Sequence, residues 1–298
     1  MGRMRPERVG LLLSLAGFVS LSLGDAVVKS MAGLWPSTAI ALLRYALGAS
    51  VLAAMLVHLE GPRQLLHWPR PGLQLLRGVA VSFGTICYFA AIFLMPLAEA
   101  ASINFISPIL TAVLAALFLR EPAGRSTWGA MLLAFCGVLI VLRPNFAALG
   151  PAAFLPLGTA AGMAVLLVCN RAVAGQASAM AMQAYVALAA MPLLVVATMV
   201  GHYSGLASLR VSWPETSVAL RCVVVAVTAT AGHWLIFLGT QRAGAAQAAP
   251  MTYVQLLTTG ILGWLWFGDV PDRAALAGAA IIVGAGIWLW RAERTRAA

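Results

Sequence analysis

Long apolar runs dominate this chain of 298 residues and set the first constraint on its fold. Runs of about 20 residues recur along the whole sequence, and each is long enough as a helix to cross a hydrocarbon core of about 30 Å. Charged side chains make up 9% of the sequence and hydrophobic ones 62%, whereas a soluble domain has about 25% charged residues. The runs do not alternate apolar with polar residues, as membrane-spanning strands would. We therefore predict an all-α polytopic membrane protein.

The apolar runs divide into ten predicted transmembrane helices. They cover residues 10–30, 36–58, 73–95, 98–119, 126–143, 152–171, 180–201, 217–239, 244–267 and 273–291. Because ten is an even number, both termini lie on one side of the membrane, and most arginines outside the spans fall on that side too. An excess of basic residues marks the cytoplasmic side. We expect both termini to be cytoplasmic.

Two stretches with the same order of features indicate an internal duplication. Residues 88–125 and 236–273 each contain an apolar helix, a short link, a helix start rich in small residues, a proline and an acidic end. We divide the chain into one five-helix repeat at 1–150 and a second at 151–298. Because five is odd, the second repeat is inverted in the membrane. Inverted repeats around a central cavity near the bilayer midplane are typical of transporters.

Four of the charged residues within the predicted spans or at their ends are candidates for a role in the pathway, because a charge at membrane depth is costly. Asp25 and Lys29 are four residues apart on one face of the first helix and can pair there. Arg44 lies in the second helix and is the natural partner of Asp25. Glu99 falls in the first turn of the fourth helix, where a carboxylate complements the helix dipole. We interpret these residues either as structural ion pairs or as a gate near the outer mouth, with Glu99 as a contact for a cationic amino group.

Polar and aromatic residues in the repeated stretches mark a candidate solute pathway. Pro108 removes the hydrogen bond to the Asn104 carbonyl, so that this carbonyl, the Asn104 amide and the Ser107 hydroxyl can contact a solute. We expect them to face Tyr253 and Gln255 across the cavity. Such groups, combined with aromatic faces, suit a small amphipathic or aromatic solute. Further residues expected in this lining are Tyr88, His233 and Trp234. The alternatives are a purely structural kink at the proline and a histidine satisfied within the helix bundle.

Signatures of enzymes and metal sites do not occur in the sequence. There is no HExxH, GxSxG or Walker lysine loop, and no paired carboxylates lie within the spans. The four cysteines show no CxxC spacing, and the basic residues are spread between the spans rather than collected on a soluble face. We expect no enzyme activity, catalytic residue, metal, cofactor or nucleic-acid partner. Transport would be driven by a solute or ion gradient.

Several motifs resemble a known family. They are the Arg44-Tyr45 pair, the run MPLAEAASINFISPILTAVLAALFLRE at 95–121 and the run WGAMLLAFCGVLIVLRP at 128–144. These residues resemble the EamA-type members of the drug/metabolite transporter superfamily, over nearly the whole chain. The resemblance implies ten helices in two five-helix halves and a transport function. Members of this family export amino acids, other metabolites or toxic compounds, and some take up S-adenosylmethionine or carry sugar phosphates.

The expected function is therefore that of a secondary transporter, acting as a monomer in the inner membrane. We expect it to export neutral or aromatic amino acids and related metabolites by alternating access. Lys29 and Arg44 are the basic candidates along the pathway and Asp25 can neutralise either, which disfavours a strongly anionic solute. The aromatic lining favours the branch similar to bacterial aromatic amino-acid exporters. S-adenosylmethionine or drug transport by the same fold is the alternative. Hypotheses of other classes are an intramembrane enzyme acting on a lipid or peptide, and a scaffold or channel.

Overall fold

A computed structural model describes most of the chain, and every regular element in that part is helical. The described residues are 6–119, 128–130, 132–140, 150–173, 175–243 and 252–297. Seven segments there are long and apolar enough to cross a membrane, and three shorter apolar helices lie within the remaining three predicted spans. Together these segments match the ten predicted spans, so the all-α membrane fold is confirmed.

The helices follow one another through short links. In the first half they are α1 (Pro6–Lys29), α2 (Ser37–Glu60), α3 (Pro71–Leu94), α4 (Leu97–Asn104), α5 (Ser107–Phe118) and α6 (Trp128–Ile140). In the second half they are α7 (Leu155–Ala172), α8 (Ala179–Tyr203), α9 (Thr216–Ala243), α10 (Thr252–Phe267) and α11 (Arg273–Ala297). Short 3-10 helices lie at Pro62–Leu65, Gly150–Phe154 and Ala207–Leu209. The end of the bundle that holds the α1–α2, α3–α4 and α10–α11 links is called the Met95 end, and the opposite end the Trp68 end.

The fourth predicted span consists of two helices rather than one helix with a central kink. Pro108 lies in the first turn of α5, where a proline fits well because the N–H groups of that turn have no helical partner. Farther along a helix it would leave the carbonyl four residues earlier unpaired. Just before the proline, the backbone leaves the α-helical pattern. The Phe105 N–H donates to the carbonyl three residues earlier at 3.1 Å, and the Ile106 N–H does the same at 3.2 Å. The proline thus starts a new helix, which corrects the prediction.

Glycines allow α1 to pack closely against α9. A Cβ atom on Gly17 would lie 2.7 Å from the Gly232 carbonyl oxygen, and one on Gly232 would lie 2.9 Å from the Gly17 carbonyl oxygen. Real side chains do not approach so closely, so each position accepts glycine alone without a shift of the backbone. Small residues have this role in membranes, where van der Waals contact between helices replaces the hydrophobic effect. The contact joins a helix of the first half to one of the second.

A second pair of close contacts joins α3 to helices of the other half. A Cβ atom on Gly78 would lie 2.6 Å from the Ala189 backbone of α8, and one on Gly162 of α7 would lie 2.6 Å from the Ala80 carbonyl oxygen. The helices of the two halves are therefore interleaved, and a site near the middle of the bundle receives side chains from both.

The glycine contact between α1 and α9 can be tested by adding one methyl group. We expect Gly232→Ala to lower stability by about 1–3 kcal/mol, because an overpacked core must shift its backbone. The matched control is Gly284→Ala in α11, where an added Cβ meets nothing within 4 Å. The measurement is the thermal midpoint in detergent micelles, followed by size-exclusion chromatography. Equal midpoints for the two variants would contradict the close contact.

Candidate solute site

A polar cluster within the membrane-spanning helices surrounds Asp25 of α1. Its carboxylate accepts a hydrogen bond from the Tyr88 hydroxyl of α3 at 3.2 Å and one from the Gln255 amide of α10 at 3.3 Å. The Ser22 hydroxyl, one turn away on α1, donates to the main-chain carbonyl of Gln255 at 3.3 Å. Tyr88 lies in the first half of the chain and Gln255 in the second. One carboxylate therefore links both halves of the bundle.

Arg44 of α2 lies beside this cluster but stacks on aromatic rings instead of pairing with Asp25. Its guanidinium carbon is 5.1 Å from the Tyr45 ring centroid and 5.5 Å from the Phe89 ring centroid, within the range of cation–π contacts. Tyr45 in turn shares a hydrogen bond of 3.3 Å with the Thr85 hydroxyl of α3. Among the described residues Arg44 makes no salt bridge. The predicted Asp25–Arg44 salt bridge is corrected: the two groups do not form a direct ion pair, although they are close enough for their charges to attract.

Lys29 pairs with Asp269 rather than with Asp25. Its ammonium group forms a salt bridge with the Asp269 carboxylate and donates a hydrogen bond to the Met95 carbonyl at 3.0 Å. The Leu97 N–H donates to the same carboxylate at 3.3 Å. The long lysine side chain reaches past the last turn of α1, whereas Asp25 faces α3 and α10 one turn earlier. We call this group the Lys29 latch, because it joins the end of α1 to the α3–α4 and α10–α11 links.

The Lys29 latch covers the Asp25 cluster on the side of the Met95 end. Lys29 follows Asp25 by one helical turn, which is about 6 Å along the helix axis. Both side chains of the ion pair are largely buried, at 13% and 19% exposed, so salt and water screen the pair less than they would at a surface. Apolar side chains pack around the same end, among them Met31, Ile40, Phe89, Ile92, Met95 and Leu97. Packing and charge together close this end of the bundle.

Asn104 lies at about the same depth as Gln255. Near the Met95 end, Leu97 of α4 is 3.7 Å from where a Cβ on Gly263 of α10 would stand. Asn104 is about 10 Å along α4 from that contact and Gln255 is about 12 Å along α10 from it. The side-chain oxygen of Asn104 is buried without a hydrogen-bond partner among the described residues. An unpaired buried acceptor costs free energy, and a donor on a solute would remove that cost.

The other predicted pathway residues of α4, α5 and α10 are only partly described. Glu99 and Ser107 are buried in the first turns of α4 and α5, at 8% and 7% exposed. The side chains of Pro108 and Tyr253 lie outside the described residues. The arrangement of the α4–α5 group opposite Tyr253 and Gln255 across a cavity therefore stays a prediction.

His233 and Trp234 lie nearer the Trp68 end than the Asp25 cluster does. The residue before His233 packs on Gly17 of α1, which is about 12 Å from Asp25 along that helix. The His233 side chain is exposed, and Trp234 packs against the apolar cluster that contains Leu56. Neither side chain hydrogen-bonds to Asp25 among the described residues, but His233 is close enough to Arg44 for their charges to interact. The expected lining of Tyr88, His233 and Trp234 therefore stays a prediction.

A buried arginine network at the Trp68 end was missed in the sequence. Arg77 of α3 is 3% exposed and donates to the Asn170 side-chain oxygen at 2.6 Å and to the Met182 carbonyl at 3.2 Å. It also donates to the side chain of Gln74, which is fully buried. Arg77 lies near the start of the third predicted span, where an arginine is readily taken for one at the cytoplasmic surface. The glutamine three residues earlier on the same helix face was the available signal.

Comparison with known proteins places the chain in a family. Residues 8–143 and 150–291 each match the family described as the EamA-like transporter family. The chain belongs to this family. The double match shows that the domain occurs twice, as the sequence predicted, and the protein is a multi-pass membrane transporter rather than an enzyme.

Known relatives of this EamA-family protein carry different solutes. The S-adenosylmethionine uptake transporter of Rickettsia bellii (strain RML369-C) is 24% identical over 98% of this chain and 96% of its own length. The pseudopaline exporter CntI of Pseudomonas aeruginosa (strain UCBPP-PA14) is 27% identical over 96% of this chain and 97% of its own. The riboflavin transporter of Vibrio cholerae serotype O1 is 29% identical over 93% of each chain. The family thus establishes transport of small molecules but not the solute.

A solved crystal structure has the same fold as this family member. It superposes with a TM-score of 0.62 at 20% sequence identity, covering 95% of this chain and 97% of its own. At this identity the likeness concerns the fold alone.

The Lys29 latch should stabilise the protein as a pair. Lys29→Met and Asp269→Asn each leave a buried partner uncompensated, which costs about 1–3 kcal/mol. Each single variant should lower the thermal midpoint in micelles, and the double variant should lower it little further, because coupled residues are not additive. The control is Glu215→Gln, which changes an exposed carboxylate. Fully additive losses in the double variant would show that the two residues act independently.

Proposed function

We propose that this transporter is a secondary carrier of the bacterial inner membrane that exports neutral or aromatic amino acids and related metabolites. The observation that carries the proposal is the Asp25 carboxylate, which receives one neutral hydrogen-bond donor from each half of the chain. A carboxylate within the membrane is costly, and neither of the groups that donate a hydrogen bond to Asp25 is a cation. The amino group of a solute would supply the missing positive charge.

Aromatic side chains next to the carboxylate support a neutral or aromatic solute. Tyr88 binds Asp25 through its hydroxyl, and the neighbouring rings of Phe89 and Tyr45 stack on Arg44. Rings combined with a few polar groups favour solutes that have an apolar body and a polar end. Asn104 adds, at similar depth, an amide oxygen that has no hydrogen-bond partner among the described residues.

Alternating access is the proposed mechanism, with the Lys29 latch as the gate at the Met95 end. Inverted repeats exchange the side on which a central site is open when one rocks against the other. Opening the Met95 end requires Lys29 and Asp269 to separate and the Met95 and Leu97 backbone contacts to break. Glu99, buried two residues after Leu97, would belong to the same gate. Lys29 and Asp269 would pair with each other in the closed state and contact water in the open state.

We also propose an orientation in the membrane and an oligomeric state. We place both termini in the cytoplasm, because arginines are concentrated on that side of the predicted spans. The Met95 end is then the outer end. Repeats at 1–150 and 151–298 within one chain provide both halves of a pathway, which supports a functional monomer.

S-adenosylmethionine is the second candidate solute. A relative from Rickettsia bellii is an S-adenosylmethionine uptake transporter. The methionine part of this compound has an amino and a carboxyl group, and its positively charged sulfur would favour the same carboxylate and aromatic faces. Drug transport by the same fold would instead show broad competition among unrelated cations.

Counterflow into proteoliposomes tests the proposal directly. We expect saturable uptake of labelled phenylalanine or methionine, with threonine and S-adenosylmethionine measured alongside. Asp25→Asn should reduce this uptake roughly 10-fold or more, because a hydrogen bond to a charged group contributes about 1.5–3 kcal/mol. Glu215→Gln is the control. No saturable uptake of any of the four compounds would contradict the proposed substrate class and leave the family membership intact.

A further inference from the structure

We infer that Asp25 and Arg44 bind the two charged ends of one solute, whose ammonium group and carboxylate are attached to the same carbon. This inference rests on the proposed function and narrows its substrate class to compounds with an intact α-amino-acid end. It assigns the solute carboxylate to Arg44 and the solute ammonium to Asp25.

The Arg44 guanidinium has unused hydrogen-bond donors. An arginine side chain has five N–H groups, and none of those on Arg44 forms a salt bridge or hydrogen bond with a described residue. The side chain is half-buried within a membrane-spanning helix, where an uncompensated cation is costly. The Tyr45 and Phe89 rings contact the guanidinium through cation–π interactions, which use none of its N–H groups. Those groups can hold a carboxylate through two parallel hydrogen bonds.

The Asp25 carboxylate has an oxygen that can still accept hydrogen bonds. Both of its hydrogen bonds end on Oδ2, and both come from neutral groups, Tyr88 and Gln255. Its other oxygen, Oδ1, receives no hydrogen bond from the described residues. Lys29, the nearest lysine along α1, is engaged by Asp269 and by the Met95 carbonyl. A solute ammonium group can therefore bind Asp25 without displacing an existing cation.

Two consecutive residues of α3 fix the relation between the two charges. Tyr88 binds Asp25, and Phe89 contacts Arg44. The carboxylate approaches α3 from α1 and the guanidinium from α2. The two charges are close enough to attract each other but form no direct ion pair. A solute with both charges on one carbon would bridge them. Each charge would then have a partner, and the loaded carrier would hold no unpaired charge at this depth.

Competition by truncated analogues tests this inference. Purified full-length protein in proteoliposomes takes up labelled phenylalanine in the presence of L-phenylalanine, phenethylamine or 3-phenylpropionate. Phenethylamine lacks the carboxylate and 3-phenylpropionate lacks the ammonium group. We expect each truncated analogue to compete at least about 10-fold less well than L-phenylalanine, because each leaves one buried charge unpaired. Binding to the protein in micelles is measured in parallel by equilibrium dialysis of the labelled amino acid.

Variants of the two residues should change this discrimination in opposite ways. In Arg44→Gln, phenethylamine should compete about as well as L-phenylalanine, and in Asp25→Asn, 3-phenylpropionate should do so. Arg44→Lys should keep part of the discrimination, because lysine retains the charge but loses the two-pronged geometry. The control is Arg210→Gln, since Arg210 is exposed outside the spans. Size-exclusion profiles identify any variant that fails to fold, and the wild-type competition series needs no variant.

The outcomes separate this inference from the proposed function. Saturable uptake of phenylalanine with equal competition by phenethylamine or 3-phenylpropionate would overturn the two-charge site and leave amino-acid transport standing. Binding in micelles that depends on both residues, without uptake, would support the site and contradict transport of this solute. Neither binding nor uptake of phenylalanine, methionine or S-adenosylmethionine would overturn both.

Discussion

The cost of an unpaired charge inside a membrane governs the arrangement of this bundle. Lys29 is paired with Asp269 at the Met95 end, and Arg77 is surrounded by oxygen and sulfur acceptors near the Trp68 end. Between these two satisfied groups lie Asp25 and Arg44, each of which is only half satisfied. Asp25 has neutral donors and Arg44 has aromatic faces. Among the described residues, these two charged groups lack a direct ion pair at the place where both halves meet, which is why we assign the solute to it.

The packing of the helices explains how such a site can change its access. Close contacts through Gly17 and Gly232, and through Gly78 and Gly162, join helices of the two halves. Smooth contacts of this kind let helices shift against each other at modest cost. Strong polar contacts between the halves lie at both ends of the bundle, in the Lys29 latch and in the Arg77 network. Motion between the halves would therefore break a small number of charged contacts and keep most of the apolar packing.

Much of the fold followed from the sequence, because the length of an apolar run and the spacing of arginines report directly on membrane crossing. The partners of the charged residues did not follow. Asp25 and Lys29 share a face of α1, and their spacing suggests that they pair with each other. It cannot show that Lys29 instead pairs with Asp269, which lies in the α10–α11 link about 240 residues later in the sequence. Pro108 was recognised as a helix breaker, but whether it kinks or starts a helix depends on the local backbone. The level of His233 relative to Asp25 depends on the register between α1 and α9, which glycine contacts set and which the sequence alone does not give.

The position of a bound solute in an experimental map tests the central claim most directly. The protein would be imaged in lipid nanodiscs with and without a solute that counterflow shows to be transported. If the solute binds between the two charged residues, the map with solute will show added density between the Asp25 carboxylate and the Arg44 guanidinium, in contact with Tyr88 and Gln255. Density confined to another region, with the Asp25 cluster unchanged between the two maps, would contradict it.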